Sequence, residues 1–216
     1  MMQMPGRYQS AEEHESSEWL SVSDLMAGLL MVFALLVVAT LFQLKQAQEE
    51  NKNKRIVIIQ ALEKQFKAQG INAEINPETG DITLLDSVLF DVNQSELKAE
   101  GVSFLNRFLP VYGETLFKDS AISNEITRII IEGHTSSEGS TEHNMSLSLK
   151  RANSVFDFIN QLQFEQRVEL VNKIQVSGRG FLDADRTSSL AKDRKVIFRM
   201  QFKSDEAFGR FMNELN

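Results

Sequence analysis

Residues 126–151 read Ile126-Thr127-Arg128-Ile129-Ile130-Ile131-Glu132-Gly133-His134-Thr135-Ser136-Ser137-Glu138-Gly139-Ser140-Thr141-Glu142-His143-Asn144-Met145-Ser146-Leu147-Ser148-Leu149-Lys150-Arg151. The isoleucines at 126, 129, 130 and 131 form a β-branched run that suits a buried strand over 126–132. A polar loop of Gly, Ser and Thr follows. Beyond it, Leu147, Ala152, Val155, Phe156 and Ile159 recur at helical spacing and predict a helix over 142–162 with an inner apolar stripe. A buried strand that passes through a polar loop into a helix is half of a crossover unit, and the flanking sequence continues the alternation.

Upstream, 72–76 and 81–85 read as two strands of a hairpin around Pro77-Glu78-Thr79-Gly80, because Pro and Gly supply turn geometry. Val88-Leu89-Phe90 reads as another short strand. Residues 93–96 offer capping chemistry for a helix running to about residue 112, with Leu97, Phe104, Leu105 and Phe108 toward the core. Downstream, a short helix over 165–172 leads into a strand at 174–177. Residues 195–202 close the domain, Val196, Phe198, Met200 and Phe202 alternating with mostly polar neighbours. The fold class is therefore α+β: a mixed, partly parallel sheet with helices packed on it, spanning 72–203 and followed by a tail at 204–216.

The loop 133–144 ends at a helix N-terminus, where backbone N–H groups and the helix dipole favour a carboxylate. Arg151, two turns into that helix, can add a bidentate contact, and Arg194 supplies a second cation before the last strand. Other chemistries have less behind them. His134, His143, Glu132, Glu138 and Glu142 lack the His-x-x-x-His spacing of a helical metal site, and no metal or cofactor is expected. Gly178-Arg179-Gly180 lacks the full glycine pattern of a dinucleotide loop and reads as a turn. The chain has no cysteine, which removes disulfides, thiolate catalysis and thiolate metal sites, and no Ser-His-Asp order stands out; nothing argues for an enzyme. A net charge of −7 on 216 residues is a poor surface for nucleic acid.

The N-terminal part is of a different kind. Residues 25–42 carry no charge and only Thr40 interrupts their apolar character, enough to cross about 27 Å at about 1.5 Å per residue. Ahead of them stand Glu12, Glu13, Glu15 and Glu18 with Arg7 the one basic residue, the reverse of a signal peptide, and no small-x-small cleavage site follows. The expectation is a retained transmembrane helix over 19–44, preceded by a segment at 1–18. Residues 45–71 then read as a helical linker with Ile56, Ile59, Leu62 and Phe66 at helical spacing, ending near Gly70. That linker is a spacer, or else an amphipathic plug or a dimer-forming stalk.

Asp24 stands at the start of the charge-free run. A carboxylate at the bilayer centre costs about 2.5–3.5 kcal/mol on insertion scales, so an intramembrane Asp ordinarily faces a partner helix or a water path and handles ions. At the edge of the run, beside Ser21 and Ser23, it reads as well as a helix cap at the wet interface. Lys45, Lys52, Lys54 and Arg55 follow the span and only Arg7 precedes it, so charge counting puts the C-terminal side in the cytoplasm.

Gly133-His134-Thr135, Gly139, Asn144, Leu147-Ser148, Lys150-Arg151-Ala152 and Asp193-Arg194-Lys195-Val196 together resemble the signature of OmpA-like peptidoglycan-binding domains. The resemblance implies a sandwich of helices on a sheet that binds the diaminopimelate part of the wall stem peptide. Carried over by position, Asn144, Leu147, Arg151 and Arg194 match the motif. Ser136 stands where the family usually has Asp, and His143 where it usually has Tyr. A serine accepts hydrogen bonds but supplies no negative charge, so recognition of the ligand's ammonium should weaken while carboxylate recognition survives.

Trp19, Ser23-Asp24-Leu25-Met26, Leu29-Leu30-Met31 and Phe33 look like the single helix of MotB-type stator subunits, and the acidic N-terminal segment and short linker are most similar to the B subunit of Zorya anti-phage systems. This resemblance implies a homodimer inside a multi-span ring subunit of the MotA or ZorA kind, in five copies, with Asp24 carrying protons. It also implies a bacterial inner-membrane protein with its N-terminus cytoplasmic and its wall-binding domain periplasmic, against the charge count. The alternatives are a flagellar or transport-energising stator, and a passive membrane-to-wall anchor that needs no Asp24.

Overall fold

The computed structural model of the chain describes residues 9–184 and 191–205; side chains at 9–18, 20, 21 and 191 lie outside the description. The expected segment at 1–18 and the tail at 204–216 therefore fall largely outside the described residues. The chain divides into two compact units, Met1–Glu50 and Asn51–Asn216.

The first unit consists of the opening part of helix α1, Gln9–Ala68. Every described side chain from residue 22 to residue 50 is exposed. An 18-residue window within this stretch has mean hydropathy 2.7 and none of it is buried. An all-round apolar helix surface of that length is suited to lipid, where all backbone polar groups are bonded within the helix.

The second unit takes in the last turns of α1. Ile58, Leu62 and Phe66, one per turn, are buried among the core residues of the domain, and Ile59 is buried beside them. Residues 45–71 are thus not a linker throughout: from Asn51 the chain belongs to the domain, whose core begins well before residue 72. Two ion pairs fasten this helix end, Lys54 to Glu125 at 3.1 Å and Arg55 to Asp205, and the Arg55 guanidinium lies 4.5 Å from the Phe202 ring centre. The helix stops at Gly70, whose φ of +62° suits a residue without a Cβ.

A five-stranded sheet forms the body in the order β1-β2-β5-β3-β4, from β1 Glu74–Ile75, β2 Ile82–Leu85, β3 Ile126–His134, β4 Ile174–Gly178 and β5 Lys195–Phe202. The hairpin β1/β2, the pair β2/β5 and the pair β5/β3 are antiparallel, while β3/β4 is parallel, giving the mixed sheet expected. The parallel pair is joined through α5, Thr141–Gln161, and α6, Arg167–Lys173.

Two further expectations are corrected. Val88-Leu89-Phe90 is not a strand: α2, Asp86–Leu89, is a single helical turn, and Phe90 alone bridges Leu97. The next helix, α3, Ala99–Phe117, starts after the expected caps at 93–96; its N-cap is Lys98, with no side-chain bond, and Asn93 turns the chain at φ 60°. A further turn, α4, Ser120–Ser123, is capped by Asp119 accepting from the Ala121 N–H. The core centres on Phe108, whose ring lies 5.3–5.7 Å from those of Phe66, Phe104, Tyr112 and Phe198. These aromatics join α1, α3 and β5.

Candidate functional site: the end of the sheet beneath α5

The loop after β3 is held by backbone proximity. A Cβ at Gly133 would lie 2.0 Å from the Ser148 carbonyl oxygen, so only glycine lets α5 descend onto the strand. The Ser148 hydroxyl accepts the Gly180 N–H at 2.9 Å and donates to the Met145 carbonyl at 2.9 Å. The Thr135 N–H donates to the Gly180 carbonyl at 2.8 Å, and the Arg179 N–H to the Gly133 carbonyl at 3.0 Å. Gly178 is the last residue of β4, and the turn read from the sequence starts only at Arg179, whose carbonyl accepts the Leu182 N–H at 3.2 Å. Ser140 caps α5 by accepting from the His143 N–H at 3.2 Å.

Each expected site residue now has a position. Ser136 is buried at the foot of the loop, and His143 is exposed on the first turn of α5. The Asn144 side-chain amide donates to the carbonyls of Glu138, at 2.7 Å, and Ser140, at 3.1 Å, so it shapes the loop. Leu147 is buried below it.

Arg151 departs most from expectation. It is 1% exposed, with Nη1 3.0 Å from the Asp86 Oδ1; its Nε donates to the Gln94 carbonyl at 2.8 Å and its Nη2 to that of Asp91 at 3.4 Å. Its guanidinium also lies 5.3 Å from the Phe90 ring centre. The arginine expected to reach for an external carboxylate already holds an internal one. Arg194, with its side chain 29% exposed and Nε 3.7 Å from Asp86 Oδ2, is the cation of the pair open to solvent.

Asp86, which the sequence reading passed over inside an apolar stretch, is 3% exposed between these two arginines. Burial raises its pKa above the ordinary carboxylate value, against the downward pull of Arg151, Arg194 and Lys98. Burial likewise lowers the pKa of Arg151, against the pull of Asp86. The signal available in the sequence was an acid opening Asp86-Ser87-Val88-Leu89-Phe90, where a buried strand has no use for one.

On the other side of β3 lies a second set of charges. Glu132 accepts from Arg199 Nη2 at 2.8 Å and is 2.9 Å from His134 Nε2, while Asp183 is bonded by Arg179 at 3.1 and 3.2 Å. The bond from His134, and then the charge of Arg199, hold the Glu132 carboxyl below its ordinary pKa. The ligand atoms of Glu132, His134 and Asp183 lie within 4.8 Å of one another, yet both carboxylates are occupied by arginines. This is a ring of ion pairs, and a metal would have to displace two guanidinium groups.

A central β3 feeding a glycine-backed loop and helix, with β5 returning alongside it, is an OmpA-type domain. The OmpA family model matches residues 89–196. Two curated relatives are Zorya protein ZorB from Escherichia coli: one from strain Crooks, 30% identical over 176 residues covering 73% of this chain and 74% of the relative, the other from strain E24377A of serotype O139:H28, 28% identical over 207 residues covering 89% and 83%. A solved MotB-like protein from Desulfovibrio vulgaris shares the fold, with TM-score 0.55 at 20% identity over 73% of this chain and 96% of that one. The chain belongs to the OmpA family and, within it, to the ZorB proteins.

Proposed function

We propose that this chain is the peptidoglycan-anchored stator subunit of a proton-driven rotary motor in the bacterial inner membrane, serving an anti-phage system of the Zorya type. The observation that carries the proposal is Asp24, the one charged residue in the stretch 19–44 of α1, where every described side chain is exposed, joined in one chain to an OmpA-type domain. An anchor alone has no need of that carboxylate. The reading has two copies of the chain, each presenting Asp24 inside a ring of a multi-span subunit of the ZorA kind, in five copies. The domain grips the wall and resists the torque.

Neutral Asp24 fits an apolar contact, and the charged form requires water or a polar partner, so protonation biases two arrangements of the ring. Each proton descending the membrane potential supplies about 2.3 kcal/mol per 100 mV. No step in this cycle calls for a catalytic residue, and the chain has no part in handling nucleic acid directly.

The orientation in this reading is N-terminus cytoplasmic and domain periplasmic. Two of the four cations that argue against it have a structural role: Lys54 pairs with Glu125, and Arg55 pairs with Asp205 and stacks on Phe202. Their positions are accounted for by docking of the helix end. The test is phage plating on cells carrying the native operon with wild-type chain or Asp24→Asn at matched membrane levels. Protection lost only in the variant supports the motor; equal protection reduces Asp24 to a helix cap and favours the passive anchor. No protection from the wild type favours a flagellar or transport stator.

A further inference from the structure

The end of the sheet beneath α5 collects polar atoms that are buried and have no hydrogen-bond partner among the described residues: Asp86 Oδ1, Arg151 Nη1, Thr135 Oγ1 and Asp193 Oδ2. Buried polar atoms are otherwise nearly always satisfied, and a cluster of orphans of both signs calls for an explanation. Asp86 and Arg151 at least have each other's charge at 3.0 Å. Among the described residues Asp193 has no ion pair and its Oδ2 no hydrogen bond, although it is only 9% exposed. A cation brought to a carboxylate held that way would offset the cost of burying it.

The topology fixes where Asp193 lies. It closes a 3-10 turn, Ala191–Asp193, that leads into β5. The last pair of the β3/β5 ladder is His134 with Lys195, and the Asp86 N–H donates to the Arg194 carbonyl at 3.1 Å on the other flank of the strand. The ladder ends at that pair, so Asp193, two residues before Lys195, and Ser136, two residues after His134, both lie just beyond the same end of the β3/β5 pairing.

We propose that Asp193 is the residue that receives an ammonium group of the wall ligand, supplying from β5 the negative charge that Ser136 does not. The proposal rests on the wall-binding reading of this domain and names the chemistry of its ligand: an amino-acid head bearing both ammonium and carboxylate, as at the free end of diaminopimelate. Arg194, next in sequence and open to solvent, receives the carboxylate. The other acids near this end are less suited. Asp86 is held between two arginines, Glu132 and Asp183 are paired, and Asp91 and Glu138 are exposed, where water screens their charge.

The experiment is calorimetric titration of the full chain in detergent with a stem tripeptide, L-Ala-D-Glu-meso-diaminopimelate, whose side-chain amine is either free or acetylated. Wild type is expected to prefer the free amine by at least about tenfold, the scale of a charge-assisted contact. Asp193→Asn is expected to bind both probes alike, near the level of the acetylated probe, with an unchanged or higher melting temperature because an unpaired buried charge has gone. Adding Ser136→Asp to Asp193→Asn should restore the preference. Wild type binding both probes equally overturns the proposal without recourse to a variant, as does a preference that survives in Asp193→Asn. Wild type binding neither probe overturns the wall-binding reading, and this proposal with it.

Discussion

The Arg151 guanidinium lies 3.0 Å from the Asp86 carboxylate, and the two side chains are 1% and 4% exposed. Removing one partner of a buried pair strands the other, so Arg151→Ala should destabilise the domain by about 3–5 kcal/mol. Replacing both, Asp86→Leu with Arg151→Met, should cost much less. Thermal melts of the full chain in detergent measure the difference; equal losses in the single and double variants would show that the pair does not act as a unit.

Arg194 carries the opposite expectation. Because it is the solvent-facing member of the trio, Arg194→Ala should leave the melting temperature nearly unchanged while reducing co-sedimentation with purified peptidoglycan. Undiminished sedimentation would move the carboxylate contact elsewhere.

The last turns of α1 separate a core helix from a spacer. Leu62 is fully buried, so Leu62→Ala should cost about 2–5 kcal/mol, as for other large-to-small core changes. A spacer residue would tolerate the change within about 0.5 kcal/mol. Melting curves of the two proteins decide between them.

Gly133 allows an equally direct check. A methyl group there meets the Ser148 carbonyl at 2.0 Å, backbone against backbone, so Gly133→Ala should cost at least the about 1–3 kcal/mol typical of overpacking. The variant's yield in the membrane and its melting temperature report the loss.

Glu132 sets an acid limit. Its folded pKa is lowered from 4.5 by the bond from His134 and by the charges of Arg199 and Arg179. The native state therefore holds its stabilisation in full above the unfolded value of 4.5, and loses it as pH falls toward the lower folded value, because the unfolded chain takes up the proton first. Glu132→Gln should flatten the decline of melting temperature below pH 4.5, relative to wild type, in the same detergent. Asp183, which faces the same cluster and whose carboxyl the bond from Arg179 holds below its ordinary pKa, remains in the variant and contributes to the slope that persists.

The strands and the long helices were legible because periodicity reports burial: the alternation of Val196, Phe198, Met200 and Phe202 could satisfy only a strand, and it closes the sheet as expected. Helix α5 differs from its expected span by one residue at each end, since Ser140 provides a true cap. What failed was local. Val88, Leu89 and Phe90 are apolar enough for a strand, yet one turn of helix buries Leu89 and Phe90 while leaving Val88 exposed, and apolarity alone cannot distinguish the two over three residues.

The end of α1 misled for another reason. The stripe of Ile56, Ile59, Leu62 and Phe66 was visible, but in a stretch where Gln, Glu, Lys and Asn dominate nothing local ties it to strands further along the chain, and it is Ile58, not Ile56, that is buried. At the site, the motif supplied the positions of Arg151 and Arg194 but not their roles. Which arginine is free depends on Asp86, 65 residues before Arg151, and no spacing rule links a single-turn helix to a charge that far along the chain.

The entry of Ile58, Leu62 and Phe66 into the core gives this chain a sharply uneven susceptibility to cleavage. A protease cutting within 45–50 would release a body that keeps its whole core. A cut between 66 and 70, about five turns later, would withdraw four buried side chains, Ile58, Ile59, Leu62 and Phe66, and leave a fragment unable to stay folded. Limited digestion of the native protein should therefore converge on fragments that begin near residue 51, and none should begin at residue 72, where the strands start.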